Sequence, residues 1–168
     1  DLLIPVYLKD RFRGGEFFSN MKSVMTIHNL KFQGVWDVKT IQRFSMLPDY
    51  YFTPDKLEAY KDGNMLKGGI VFADAVTTVS QTYAEEIKMP FYGEGLDGLM
   101  RARTNSLRGI VNGIDYNEFN PATDTMIAQT YDARTFRKEK VKNKRALQEQ
   151  LGLPVDDKKF MVGIVSRL

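Results

Sequence analysis

The sequence has 168 residues, of which 43% are hydrophobic and 27% charged, a balance typical of a folded globular protein and not of a disordered one. The net charge of +3 is too small for a dense nucleic-acid-binding face, although it is compatible with a small anionic ligand. No apolar run is long enough to span a membrane, and the lack of cysteine excludes disulfides and thiolate chemistry.

The first part of the chain is predicted to contain one helix and one strand. Residues 2–12 are interpreted as the end of a buried helix, and residues 23–27 as a short apolar strand. His28 follows where this strand leaves the sheet. The aromatic-rich segments 32–36 and 48–61 have no clear period, so we expect irregular structure in both.

Residues 66–87 are the most informative stretch, because they predict a helix, a buried strand and a second helix. Apolar residues at helical spacing are followed by the β-branched run 75–79, and Ser80 can cap the next helix. A further strand at 107–111 follows the glycine-rich turn 92–98. This alternation predicts an α/β, Rossmann-like parallel sheet with helices on both faces, a fold that binds ligands at the carboxyl ends of its strands.

The last third is predicted to contain a linker, a helix and a strand. Residues 113–133 are polar and turn-rich, which is typical of a linker. A helical pattern runs from Asp132 to Gln150 and is followed by an apolar run at 160–165. Because the sequence starts without methionine and stops directly after this run, we expect it to be an internal piece of a longer protein.

Six segments, in order along the chain, closely resemble the bacterial glycogen synthase and plant starch synthase family. The segments are Thr26–Gly34, Leu47–Glu58, Leu66–Ile87 with Tyr92–Gly98, Asn112–Asp124, Lys140–Leu153 and Val165–Leu168. The resemblance implies a two-domain GT-B glycosyltransferase, with two Rossmann-like halves facing a cleft. It assigns residues 1–114 to the later part of the N-terminal catalytic half, residues 115–133 to the interdomain hinge, and residues 134–168 to the first helix and strand of the C-terminal nucleotide-sugar-binding half.

The resemblance also implies an activity for the parent protein. Members of the family are hexosyltransferases that transfer glucose from ADP-glucose or UDP-glucose to the non-reducing end of an α-1,4-glucan with retention of configuration. The implied partners are a nucleotide-sugar donor and an α-glucan acceptor, with no cofactor, metal, nucleic acid or membrane, and the oligomeric state stays open. We expect bacterial cytoplasm, or a plastid for a plant source. Other donor-binding motifs of the family are not found in the sequence, so we expect residues 1–168 alone to be inactive.

Three residues take functional roles from the resemblance. His28, the only histidine, would hydrogen-bond the transferred glucose, although a lone histidine at a strand end is more often structural. Asn112 would share recognition of the same glucose hydroxyl, since an amide both donates and accepts, although Asn-Gly is also a favoured turn pair. Arg167 would take a catalytic role by pairing with the donor phosphates and stabilising the departing nucleoside diphosphate.

Two alternatives stay open from sequence alone. One is another retaining glycosyltransferase, such as a sucrose-synthase-like enzyme, and the other is a non-catalytic glucan-binding or interaction module. A glycosidase built on Glu94 and Asp97 has little support, because both carboxylates lie in one loop and nothing assigns them different environments.

Overall fold

A computed structural model describes residues 2–166 and divides the chain into two compact units, the first ending at Asn112 and the second beginning at Gly113. The strands are β1 Val24–Ile27, β2 Val35–Trp36, β3 Glu58–Ala59, β4 Asp62–Asn64, β5 Ala75–Thr78 and β6 Leu107–Gly109. The α-helices are α1 Ile4–Tyr7, α2 Val38–Ser45, α3 Met65–Phe72, α4 Gln81–Glu86, α5 Asp97–Ala102 and α6 Phe136–Gln150. A π-helical turn, Leu8–Phe12, continues α1.

The parallel sheet of the first unit has the strand order β1-β5-β6. Ile27 at the end of β1 pairs with Thr78 at the end of β5, and Thr78 in turn pairs with Gly109 at the end of β6. All three strands therefore end at the same level, and we call this end of the sheet the carboxyl edge. The predicted parallel α/β sheet is confirmed.

One face of this sheet carries the main hydrophobic core. Buried side chains of the strands, α3, α4 and α5 form a single cluster; it includes Met25, Ile27, Leu66, Ile70, Val76, Ala84, Ile87, Met100 and Leu107. The opposite face is exposed at Val24 (61%) and Arg108, and there the hydroxyls of Thr26 and Thr77 hydrogen-bond at 2.8 Å. The burial alternates along β1 and β5 with the period of two that a one-sided core requires.

A second apolar cluster lies beside α3. Leu3, Val6, Leu47, Tyr51 and Leu57 form it, and Met65 and Phe72 of α3 pack against it. Helix α3 therefore lies between two apolar clusters. A helix in such a position needs apolar residues on most of its circumference, which explains why its sequence shows no polar stripe.

The expectation of irregular structure in 32–36 and 48–61 is wrong in part, since a small antiparallel sheet forms there with the order β2-β4-β3. Strands β3 and β4 are joined by Tyr60 and Lys61, which have φ angles of 56° and 76°. Two positive φ angles are the mark of a type I′ hairpin turn, which sequence rules assign to Asn-Gly pairs. A Tyr-Lys pair gives no such signal.

The second unit contains the predicted helix, but not the predicted strand. Helix α6 follows Asp132, whose carboxylate accepts the N–H groups of Arg134 and Thr135, both at 2.8 Å. The segment 160–165 has no sheet pairing within the described part of this unit. The expected strand at 160–165 is therefore not formed, because a strand requires a hydrogen-bonded neighbour.

Asp74 lies between α3 and β5, and its hydrogen bonds connect the amino end of the sheet to the segment that precedes β1. Its carboxylate accepts the backbone N–H of Ser23 at 2.9 Å and an N–H of the Arg13 guanidinium at 3.0 Å. These bonds, the one from Ser23 first, lower the pKa of Asp74 from 3.8 to about 2. A carboxylate with a lowered pKa stabilises the fold above its unfolded pKa, and that contribution disappears as the pH falls through the folded pKa.

We expect Asp74→Asn to reduce the free energy of unfolding at pH 7 by about 1–2 kcal/mol, a range discounted for partial solvent exposure. The difference between variant and wild type should shrink as the pH falls from about 4 through about 2, and below that pH the wild-type carboxylate is also mostly neutral. Denaturant unfolding across this pH range measures it, with Asp10→Asn, an exposed carboxylate, as control. A difference that does not change with pH would contradict the assignment.

Candidate functional site

His28 and Asn112 both lie at the carboxyl edge. His28 directly follows β1, and its exposed imidazole has no side-chain hydrogen bond to any residue in 2–166. The chain beyond β6 stays paired for one more residue, because the N–H of Ile110 donates to the carbonyl of Thr78 at 2.7 Å. Asn112 comes two residues later and is also exposed. The topology thus brings these two predicted residues to the same end of the sheet.

The space between them is set by the sheet itself. Neighbouring strands lie about 4.8 Å apart, so β1 and β6, on either side of β5, lie about 10 Å apart. Polar side chains at the two outer strand ends can reach one small ligand placed over the end of β5. An imidazole and an amide each offer a donor and an acceptor, which suits the hydroxyl groups of a sugar.

Thr78 fixes the three strand ends relative to one another. Its buried hydroxyl donates to the carbonyl of Ile27 at 2.7 Å, immediately before His28, and its own carbonyl accepts the N–H of Ile110. The side chain therefore satisfies a polar group that would otherwise be left buried at the edge. Sequence reasoning missed this role, because a threonine in a β-branched run is indistinguishable from an ordinary strand residue.

The loop after His28 is anchored at two points. Leu30 is fully buried, and its N–H donates to the hydroxyl of Tyr83 in α4 at 3.0 Å. Further along, the Gln33 side chain accepts from the amide of buried Asn64 at 2.6 Å and donates to the carbonyl of Glu94 at 2.9 Å. Gln33 thus links the loop after His28 to the glycine-rich turn 92–98. These partners are distant in sequence, so no local pattern indicates them.

The remaining candidates contribute less. Arg167 lies outside the described residues. The Asp97 carboxylate is paired with Arg101 at 2.7 Å, which leaves it poorly suited to act as a free nucleophile.

Within residues 2–166 there is no cluster of three or more side chains able to hold a metal ion. In the same range, every helix is too short or too polar to cross a membrane.

The fold and the edge together define an α/β protein with exposed polar side chains at the carboxyl ends of a parallel sheet, the place where folds of this class bind ligands. Comparison with known proteins identifies the family of this α/β protein. The family model of the starch synthase catalytic domain matches residues 2–102. The chain therefore belongs to the starch synthase catalytic domain family.

Individual relatives agree with this assignment. The glycogen synthase of Lachnospira eligens is 69% identical over 99% of this chain and 35% of its own length, and that of Thermotoga petrophila is 53% identical over 99% of this chain and 34% of its own length. The catalytic domain of starch synthase IV from Arabidopsis thaliana, bound to ADP and acarbose, superposes with a TM-score of 0.79 at 29% identity, covering 91% of this chain and 31% of that structure.

The chain spans about a third of the length of the curated relatives that it matches. The predicted family and the predicted fold class, an α/β parallel sheet with helices of the GT-B type, are confirmed.

Proposed function

We propose that the parent protein transfers glucose from ADP-glucose, or UDP-glucose, to the non-reducing end of an α-1,4-glucan with retention of configuration. The observation that carries this proposal is the position of His28 and Asn112 at the same carboxyl edge of a sheet in a chain of the starch synthase catalytic domain family. Support for a glucan and an adenine nucleotide comes from the Arabidopsis thaliana relative, whose structure was obtained with ADP and acarbose.

In this proposal the donor glucose lies over the end of β5. His28 and Asn112 orient it by hydrogen bonds to its hydroxyls, and neither acts as a nucleophile. The bond from C1 of glucose to the diphosphate breaks while a bond forms to the 4-hydroxyl oxygen of the acceptor. The proton of that hydroxyl passes to the leaving phosphate. Arg167 takes the role of stabilising the negative charge that develops on the departing nucleoside diphosphate.

The domain assignment belongs to the same proposal. Residues 1–114 form the later part of the N-terminal half, residues 115–133 the hinge, and residues 134–168 the beginning of the C-terminal half. The division of the chain into two units between Asn112 and Gly113 supports a boundary at this position. The bacterial relatives support the bacterial cytoplasm as the compartment.

We expect the full-length protein to incorporate labelled glucose from ADP-glucose or UDP-glucose into glycogen, and the 168-residue chain alone to incorporate none. The chain corresponds to about a third of the length of its relatives, which supports a donor site with parts outside it. Transfer to fructose instead of glucan would favour a sucrose-synthase-like enzyme. Glucan binding by the full-length protein without transfer would favour a non-catalytic module, and elongation by residues 1–168 alone would contradict the domain assignment.

A further inference from the structure

The backbone on either side of His28 is held by a side-chain hydroxyl. On one side, the buried hydroxyl of Thr78 donates to the carbonyl of Ile27, the residue before His28, at 2.7 Å. On the other side, the N–H of Leu30 donates to the hydroxyl of Tyr83 at 3.0 Å. Because these partners lie 51 and 53 positions away in sequence, the place of His28 depends on the tertiary fold.

The turn that follows β1 satisfies two of its N–H groups locally, but not the N–H of Leu30. The Asn29 side chain accepts the N–H of Lys31 at 2.9 Å, and the Asn29 carbonyl accepts that of Phe32 at 3.3 Å. Leu30 is fully buried, so water cannot replace the bond that its N–H makes to Tyr83. A buried N–H without a partner costs free energy, and the turn should therefore shift or open if the hydroxyl is removed.

The tyrosine that accepts this bond is itself fixed in the fold. Its ring packs against the main hydrophobic core, and the next residue, Ala84, is buried in the same core. The N–H of Tyr83 donates to the hydroxyl of Ser80, the N-cap of α4, at 3.3 Å. Side chains in a close-packed core keep one rotamer, so the Tyr83 hydroxyl determines where the N–H of Leu30 lies.

The connection from β5 to α4 also holds the chain that leads to Asn112. The carbonyl of Thr78 accepts the N–H of Ile110 at 2.7 Å, two residues before Asn112. The His28 imidazole has no side-chain hydrogen bond to any residue in 2–166, so the backbone beside it sets where the ring lies. A displacement of about 1 Å in a group that orients a substrate can greatly reduce the rate, so a hydroxyl that holds this backbone can affect a reaction it does not touch.

We propose that Tyr83 is a positioning residue for His28. Its hydroxyl holds the N–H of Leu30, and through that bond it keeps the imidazole where it can orient the donor glucose. The role of the imidazole rests on the proposed function. Tyr83 acts through His28 and needs no contact with the substrate, so the effect of its hydroxyl on turnover should disappear when the imidazole is absent.

Tyr83→Phe in the full-length protein removes this hydroxyl and keeps the ring in the core. We expect the kcat of glucosyl transfer to fall about 10- to 100-fold, with the KM for glycogen within about twofold of wild type. Tyr7→Phe is the matched control, because the Tyr7 hydroxyl also donates to a backbone group, the carbonyl of Ser45, and its ring packs in the second apolar cluster. Both variants should melt slightly earlier, but Tyr7→Phe should keep the wild-type kcat.

A double variant separates positioning from a purely structural role. In the His28→Ala background, Tyr83→Phe should change kcat by less than about twofold, because the group that it positions is already missing. A full additional loss in the double variant would overturn the proposal, since a loosened fold lowers turnover with or without the imidazole. A kcat of Tyr83→Phe within about twofold of wild type would overturn it as well.

Hydrogen exchange tests the same bond without relying on activity. The backbone amides of residues 28–32 should exchange at least about tenfold faster in Tyr83→Phe than in wild type, and at the wild-type rate in Tyr7→Phe. If the wild-type protein transfers no glucose, the proposed function fails, and this exchange rate then decides whether Tyr83 positions His28. Unchanged exchange in Tyr83→Phe would show that the hydroxyl does not hold the turn, which overturns the proposal.

Discussion

His28→Ala in the full-length protein is expected to reduce the kcat of the proposed glucosyl transfer by about 30- to 1,000-fold, equivalent to about 2–4 kcal/mol of lost transition-state stabilisation. The imidazole is exposed at the end of β1 and contributes no hydrogen bond to the described fold. Its removal should therefore leave the melting temperature almost unchanged. A side chain that only orients the reacting sugar acts in the transition state, so the loss should appear in kcat as well as in kcat/KM.

The neighbouring Lys31 offers a matched control for His28. It is exposed in the same loop, and only its backbone N–H is used there, as a donor to the Asn29 side chain at 2.9 Å. Lys31→Ala should keep both turnover and melting temperature. Steady-state kinetics and thermal unfolding on the two variants make the comparison. Normal turnover with an earlier melting transition in His28→Ala would show that the histidine is structural.

The parallel sheet could be predicted from sequence because its signals are local. The β-branched run before Ser80 predicts a strand, and the helical spacing of the apolar residues ahead of that run predicts a helix. Each signal is complete without reference to the rest of the chain. The order of the strands was not predicted, but strands of a parallel sheet have their carboxyl ends at one edge whatever their order. The position of His28 at the carboxyl edge therefore required no knowledge of side-chain contacts.

The parts that sequence could not predict depend on distant partners or on unusual turn residues. Tyr60 and Lys61 form a turn that favours Asn-Gly, and the strands on either side have only two and three residues. Helix α2 was missed although its sequence carries local signals. Asp37 caps it by accepting the N–H of Thr40 at 3.0 Å, and its two buried residues, Ile41 and Ser45, lie four positions apart on one face. The apolar run at 160–165 predicts a strand that is not formed, because no described residue pairs with it, so pattern alone is not sufficient.

Gly109 is the position where a single methyl group should cost the fold most. A Cβ there would lie 2.3 Å from the carbonyl oxygen of Ser80 and 2.5 Å from the Cα of Gln81. Both contacts are with backbone at the start of α4, so no side chain can rotate away to relieve them. The Ser80 carbonyl also accepts the N–H of Ala84, the first hydrogen bond of α4. Glycine therefore allows β6 and α4 to approach closely at the carboxyl edge.

We expect Gly109→Ala to lower the free energy of unfolding by about 3 kcal/mol, at the upper end of the usual range for overpacking, because backbone has to move. Moving β6 also displaces Asn112, so the proposed glucosyl transfer by the full-length protein should slow as well. Gly14→Ala is the control, since a Cβ at Gly14 meets no described atom within 4 Å. Denaturant unfolding of the two variants measures the difference. Equal stability would mean that α4 and β6 can separate freely, and the rigid carboxyl edge on which the roles of His28 and Asn112 depend would then be wrong.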